Sequence, residues 1–193
     1  PLVISIDREY GSGGHAIGKM LAEKLGIRFY DSELVYLTAS QSGLTPDYIR
    51  KHEQQLSSRF LHELYAQNYA YTAEELPPED AAFLAQSKVI RDITAGQACV
   101  IVGRCADVIL KDYHPLNLFV YADAESKIQR CIDRAPEGEH LSRNDIARRM
   151  KQVDKNRAQY RQMFADSKWG AKETYHLCVN TSGHQIKDPV SYT

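Results

Sequence analysis

The 193-residue chain is 43% hydrophobic, enough to bury a core without staples, and one domain is the expectation at this length. Its 24 Lys and Arg nearly balance 25 Asp and Glu, which argues against a protein that coats long nucleic acid. No apolar run approaches the ~20 residues that span a bilayer, and no basic-then-apolar leader precedes the first predicted strand, so a soluble, cytoplasmic protein without a membrane partner is expected. Four cysteines, at 99, 105, 131 and 178, form no C-x-x-C pair and no metal-ligand spacing, and are read as free thiols, with disulfides as the alternative.

Residues 2–6, Leu-Val-Ile-Ser-Ile, are too short for a buried helix and rich in β-branched side chains, so they predict a central strand. Residues 7–14 read as a loop. From His15, Ile17, Met20, Leu21 and Leu25 recur at helical spacing up to Gly26, a helix stop, and residues 27–30 form a short second strand. Strand, glycine-rich turn, helix and strand make one βαβ unit, hence a parallel sheet covered by helices. Residues 31–96 predict helices only: Thr45-Pro46 starts one, residues 67–80 read as a loop, and a helix runs from Pro78 to Thr94. Strands are predicted at 98–102 and 116–121, with a short helix to about Leu110 between them and another over 125–134. After a flexible stretch at 135–140, Ser142 and Asp145 begin a long helix to about Ala165, and residues 175–179 are the fifth strand.

The run Arg8-Glu9-Tyr10-Gly11-Ser12-Gly13-Gly14 lies between a strand and a helix. Glycines let successive backbone N–H groups turn toward one point, where the helix start adds its own amides and dipole, and phosphate is the natural occupant. A dinucleotide fingerprint, Gly11-x-Gly13-x-x-Ala16 with Asp31 on the ribose, is the alternative, and would make the chain an oxidoreductase. A full phosphate-loop motif requires lysine, then Ser or Thr, after its last glycine. Here Gly14 occupies the lysine position, leaving Arg8, His15 and Lys19 as candidate cations near the transferring phosphoryl group.

Residues 127–161 carry ten basic groups against five acidic ones, a local excess suited to a small polyanion. Arg104, after Gly103 at the end of the 98–102 strand, points to the crevice at the strand ends, where its fork suits a second substrate's phosphate; a salt bridge to Asp107 is the alternative. On the long helix Ile146, Met150, Val153, Tyr160 and Phe164 form an inward stripe that includes Arg157, and such an arginine needs an anion: Asp154, a bound phosphate, or both. Arg134, Arg148 and Arg149 flank the 135–140 stretch and are placed to close over phosphates. Asp31 either contacts nucleotide or caps the next helix. No histidine spacing indicates a protein-held metal, and any magnesium is expected to arrive on nucleotide phosphates.

The segments Ser5 to Gly14, Phe29-Tyr30-Asp31, Val102-Gly103-Arg104-Cys105-Ala106-Asp107, Asp154-Lys155-Asn156-Arg157-Ala158 and Trp169 through Asn180-Thr181 resemble the cytidylate kinase-like proteins, within the nucleoside monophosphate kinases and the P-loop superfamily. The resemblance spans nearly the whole chain. It implies a three-layer α/β fold with a five-stranded parallel sheet, a helical acceptor-binding insertion (about 31–96) and a small lid (about 134–148) in one domain. It implies ATP with Mg2+ as donor and CMP or dCMP as acceptor. Gly11, Ser12, Gly13, Gly14 and His15 are then expected to bind the donor, and Asp31, Arg104, Asp154 and Arg157 the acceptor. Arg8, His15, Arg149 and Arg157 are expected to serve the transfer. Gly14 in place of lysine, His15 where arginine is common, Met150 where a further arginine is common and Cys105 in place of aspartate depart from the pattern. They leave open a nucleotide-binding protein with little or no turnover.

Overall fold

The computed structural model describes residues 1–31, 33–43, 45–47, 78–136 and 141–186, with side chains omitted for 78–82. Five strands, β1 (Val3–Arg8), β2 (Arg28–Tyr30), β3 (Cys99–Val102), β4 (Leu116–Tyr121) and β5 (Leu177–Asn180), form one parallel sheet in the order β2-β3-β1-β4-β5. The α-helices whose bounds lie among the described residues are α1 (Gly14–Leu25), α2 (Glu33–Ser42), α3 (Pro78–Thr94), α4 (Ala106–Ile109), α5 (Ala124–Asp133) and α6 (Arg143–Phe164), with short 3-10 helices at Lys111–Tyr113 and Lys172–Thr174.

Strand alternation makes two cores. Val3, Cys99 and Ile101 face one side, where Leu34 of α2, Phe83, Val89 and Ile90 of α3, Ile109 of α4, and Tyr160 and Phe164 of α6 gather. Ile4, Ile6, Val100, Val102, Leu118 and Val120 face the other, packed against Ile17, Leu21 and Ala22 of α1. Apolar residues on both strand faces mark a sheet covered on both sides, which gives the three layers. The central strands β1 and β3 are nearly all buried, which fixes their register.

The elements follow the sequence reading closely, with instructive differences. β1 runs two residues further than expected, to Arg8, because parallel pairing with β4 continues through Asp7↔Phe119 and Arg8↔Val120. β5 starts at Leu177, not Tyr175, whose ring lies among Phe119 and Arg161. Gly26 ends α1 in left-handed backbone at φ 65°, as expected of a helix stop. Pro46 and Asp47 are helical; residues 78–80, the end of the loop expected at 67–80, belong to α3, while the rest of that loop and part of the 135–140 stretch lie outside the described residues. The dinucleotide reading is corrected here: that fold pairs β1 directly with β2, whereas this sheet places β3 between them. No described helix is long and apolar enough to cross a membrane.

Candidate functional site

β1 and β3 are neighbours, and the loops leaving their C-terminal ends face one crevice. The first is the glycine loop. Its carbonyls are held both from within, Glu9 O by the Ser12 hydroxyl (2.8 Å), and from outside: Arg8 O by Arg157 Nη1 (2.9 Å), Ser12 O by the Thr181 hydroxyl (2.7 Å), and Gly11 O and Ser12 O by Arg130 Nη1 (3.3 and 3.2 Å). A trans peptide puts N–H opposite C=O, so the anchored Ser12 carbonyl turns the Gly13 N–H away from Arg130 and Thr181. The first amides of α1 have no intrahelical acceptor, and Gly13 caps the helix in left-handed backbone at φ 86°. A glycine turn leading into free helix-start amides is the donor arrangement that cradles phosphate groups.

Asp154 accepts the Tyr10 N–H at 2.8 Å and sits 3.5 Å from Arg157, so one carboxylate fixes both the loop and the arginine, as the expected Asp154–Arg157 partnership requires. Lys127 and Glu9 pair at 2.7 Å and pin the loop to α5. The segment after β5 helps to build the cradle. Arg130 donates to the backbone oxygens of Thr181 and His184, and Ile186 lies against Gly13 so closely that any side chain there would overlap its Cδ1.

The second loop follows β3. Gly103, Arg104 and Cys105 are all left-handed, at φ 73°, 63° and 50°. Two consecutive non-glycine residues in that region are strained, and such strain collects at sites where a side chain must be aimed. Here it directs Arg104 into a cavity of about 160 Å³ whose lining includes Arg8, Arg104, Arg157, Asp7 and Trp169. Three of the arginines singled out from sequence therefore meet in one place. Burial, then the like charge of Arg8, pulls the Arg157 guanidinium down to about 10; the opposite charge of an anion in the cavity would offset both.

Other expected site residues lie apart. His15 directs its ring to Asp31, 2.5 Å from the carboxylate, and packs edge-on against Phe29. Its backbone N–H is at the cradle, whereas its imidazole serves the end of β2. Burial raises the Asp31 pKa, but the His15 bond and Arg8, 4.0 Å away, outweigh it and hold the carboxyl below its ordinary value. Arg149 lies 5.8 Å from the centre of the Tyr10 ring, lining a separate cavity of about 300 Å³ on the loop's other flank with Arg130, Cys131 and Arg134. Arg148 turns outward to Asp145.

The buried arginine of α6 is Arg161, one turn beyond Arg157. It bridges Asp7 (3.1 Å) and Asp107 (2.6 Å) beneath the cavity, and Tyr175 donates its hydroxyl to Asp7 at 2.8 Å. Burial and the neighbouring Asp107 push the Asp7 carboxyl above its ordinary range against the pull of Arg161. Sequence reasoning put Arg161 in the basic segment without a role. The signal was its i+4 spacing from Arg157, on a helix whose inward face already carried a charge.

Phosphate-bearing ligands fit this donor set. A protein-held magnesium does not fit the loop: the buried Ser12 hydroxyl donates to Glu9 O, and neither residue after the lysine position, His15 or Ala16, carries a hydroxyl.

The profile of the cytidylate kinase-like family matches residues 3–183. No curated protein matches the sequence. Among solved structures, an uncharacterized protein from Eubacterium ventriosum is 27% identical, with a TM-score of 0.66 over 100% of this chain and 94% of its own. Shikimate kinase from Bacteroides thetaiotaomicron is 13% identical, with a TM-score of 0.51 over 98% and 90%. TT1252 from Thermus thermophilus is 12% identical, with a TM-score of 0.50 over 100% and 95%. The last two are similar in fold.

Proposed function

Because the chain belongs to the cytidylate kinase-like family, we propose that it transfers the γ-phosphoryl group of ATP to a nucleoside monophosphate, CMP or dCMP in the first instance, giving the diphosphate. The carrying observation is the convergence of Arg8, Arg104 and Arg157 on one cavity beside the glycine loop. A cation-lined pocket next to an amide cradle matches what phosphoryl transfer demands: two anionic groups brought together, with charge-stabilising donors already in place.

The roles follow from position. The amides of Gly13, Gly14 and His15 hold the donor's phosphates, and Gly11 and Ser12 shape the loop. ATP with its Mg2+ supplies the phosphoryl group and part of the counter-charge. Arg104 and Arg157 orient the acceptor phosphate, their forks suited to two oxygens each. Asp154 orients Arg157, and Asp31 closes the acceptor side through His15. Arg149, on the far flank of the loop, serves the donor side. The acceptor's cytosine base rests on the family relationship alone.

Gly14, with no side chain to reach the phosphates, favours a second reading in which nucleotide binds with little turnover. Calorimetric titration with ATP·Mg and CMP, on the wild type and Arg104→Ala, tests the assignment of sides. CMP affinity is expected to fall in the variant while ATP affinity holds. Equal loss for both ligands, or for neither, would remove Arg104 from the acceptor site.

A further inference from the structure

The phosphate-loop motif calls for glycine at its first position, glycine at its sixth and lysine at its seventh. With Gly13 as the sixth residue, the first is position 8 and the seventh is position 14. This chain carries arginine at 8 and glycine at 14, so both departures fall on the two positions at the ends of the loop.

These two residues touch. Gly14 is the first residue of α1 and does not have positive φ, so its own backbone would accept any ordinary side chain. A Cβ built there nonetheless overlaps the Cβ of Arg8 and stands 2.9 Å from its Cγ, with Val120 Cβ behind at 3.5 Å. What excludes a side chain at 14 is therefore the stem of Arg8. At the other end, a Cβ on Gly103 would overlap Arg8 Nη1 and stand 3.1 Å from Cζ. Arg8 thus runs through a slot between two glycines from different elements. Its guanidinium ends over the β3 turn, with Nη2 4.0 Å from Asp31, at the cavity shared with Arg104 and Arg157.

We propose that Arg8 and Gly14 are a reciprocal exchange: the loop's cation enters from position 8, through the volume a side chain at 14 would use, and stands between the phosphate cradle and the acceptor cavity. This rests on the phosphoryl-transfer reading above and identifies which of the nearby cations replaces the missing lysine. His15 is held by Asp31 and Phe29. Of the three candidates Arg8, His15 and Lys19, Arg8 is the one that lines the cavity. The exchange also explains why residue 14 is glycine although the turn does not require it.

The test is a cycle of wild type, Arg8→Gly, Gly14→Lys and the double variant R8G/G14K, each followed by thermal unfolding and by titration with ATP and with inorganic tripolyphosphate. Gly14→Lys is expected to lower Tm and affinity because lysine and Arg8 compete for one volume. Arg8→Gly is expected to weaken both ligands about tenfold or more through loss of a charge-assisted contact. The double variant should regain affinity over either single variant and lose the steric penalty of Gly14→Lys, which is the signature of coupled neighbours. If Gly14→Lys does not fold, Gly14→Ala with and without Arg8→Gly reads the same coupling in Tm. Additive effects in Tm and in affinity would overturn the exchange. Undiminished binding by Arg8→Gly would also overturn it while leaving the kinase reading standing. Wild type that binds neither ligand would bring down the kinase reading itself, and the phosphate role of Arg8 with it.

Discussion

Arg157 donates from Nη1 to the backbone oxygen of Arg8 at 2.9 Å, tying α6 to the last residue of β1. Helix α6 and the glycine loop therefore share a joint, and Asp154, one turn earlier on α6, adds a second tie at the Tyr10 amide. Anything that moves α6 moves the phosphate cradle.

Arg157→Lys follows from that joint. Lysine keeps one charge but loses the planar fork that can serve the Arg8 carbonyl and an anion together. Affinity for CMP is expected to fall about tenfold, one charge-assisted hydrogen bond's worth, with a smaller change in thermal stability. Unchanged affinity with lowered Tm, measured by titration and calorimetry, would make Arg157 a structural tie only.

Arg161 carries a different expectation. Its side chain is 3% exposed and neutralises Asp7 and Asp107 beneath the cavity, so Arg161→Met strands two buried carboxylates. Removing one partner of a buried ionic group costs about 3–5 kcal/mol, and urea unfolding should show a loss of that order. A loss under about 1 kcal/mol, typical of exposed pairs, would contradict the buried network.

Asp31 sets a pH dependence. Its folded pKa lies below the ordinary 3.8, so the folded state binds this proton less tightly than the unfolded chain does. The stability it contributes is in place above pH 3.8 and is lost as pH falls through the depressed folded value. Asp31→Asn should therefore be less stable than wild type at neutral pH, with the gap closing in the acid range. A gap independent of pH would mean the ion pair with His15 and Arg8 contributes nothing.

Much of this was legible in the sequence because periodicity and burial agree. The β-branched runs of β1 and β3 and the apolar spacing of α1 admit little else, and Pro78–Thr94 and Leu116–Tyr121 match the predicted bounds. The glycine loop, Arg104 and Arg157 could be placed because each follows a strand or lies on an inward helix face. The partners could not. Arg130 gripping the loop carbonyls and Thr181 reaching Ser12 join segments up to 169 residues apart, and single-sequence patterns carry no such pairing. Arg161 escaped for a related reason: a buried charge reads as a surface charge until its carboxylate partners, on β1 and α4, are brought under it.

The most direct measurement of the central claim is nucleotide conversion by chromatography, with purified protein, ATP·Mg and a panel of ribo- and deoxyribonucleoside monophosphates. Diphosphate is expected from CMP or dCMP, and Arg104→Ala should abolish it. Absence of conversion across the panel, together with no detectable nucleotide binding in a parallel titration, would contradict the account and leave the glycine loop as a feature of the fold alone.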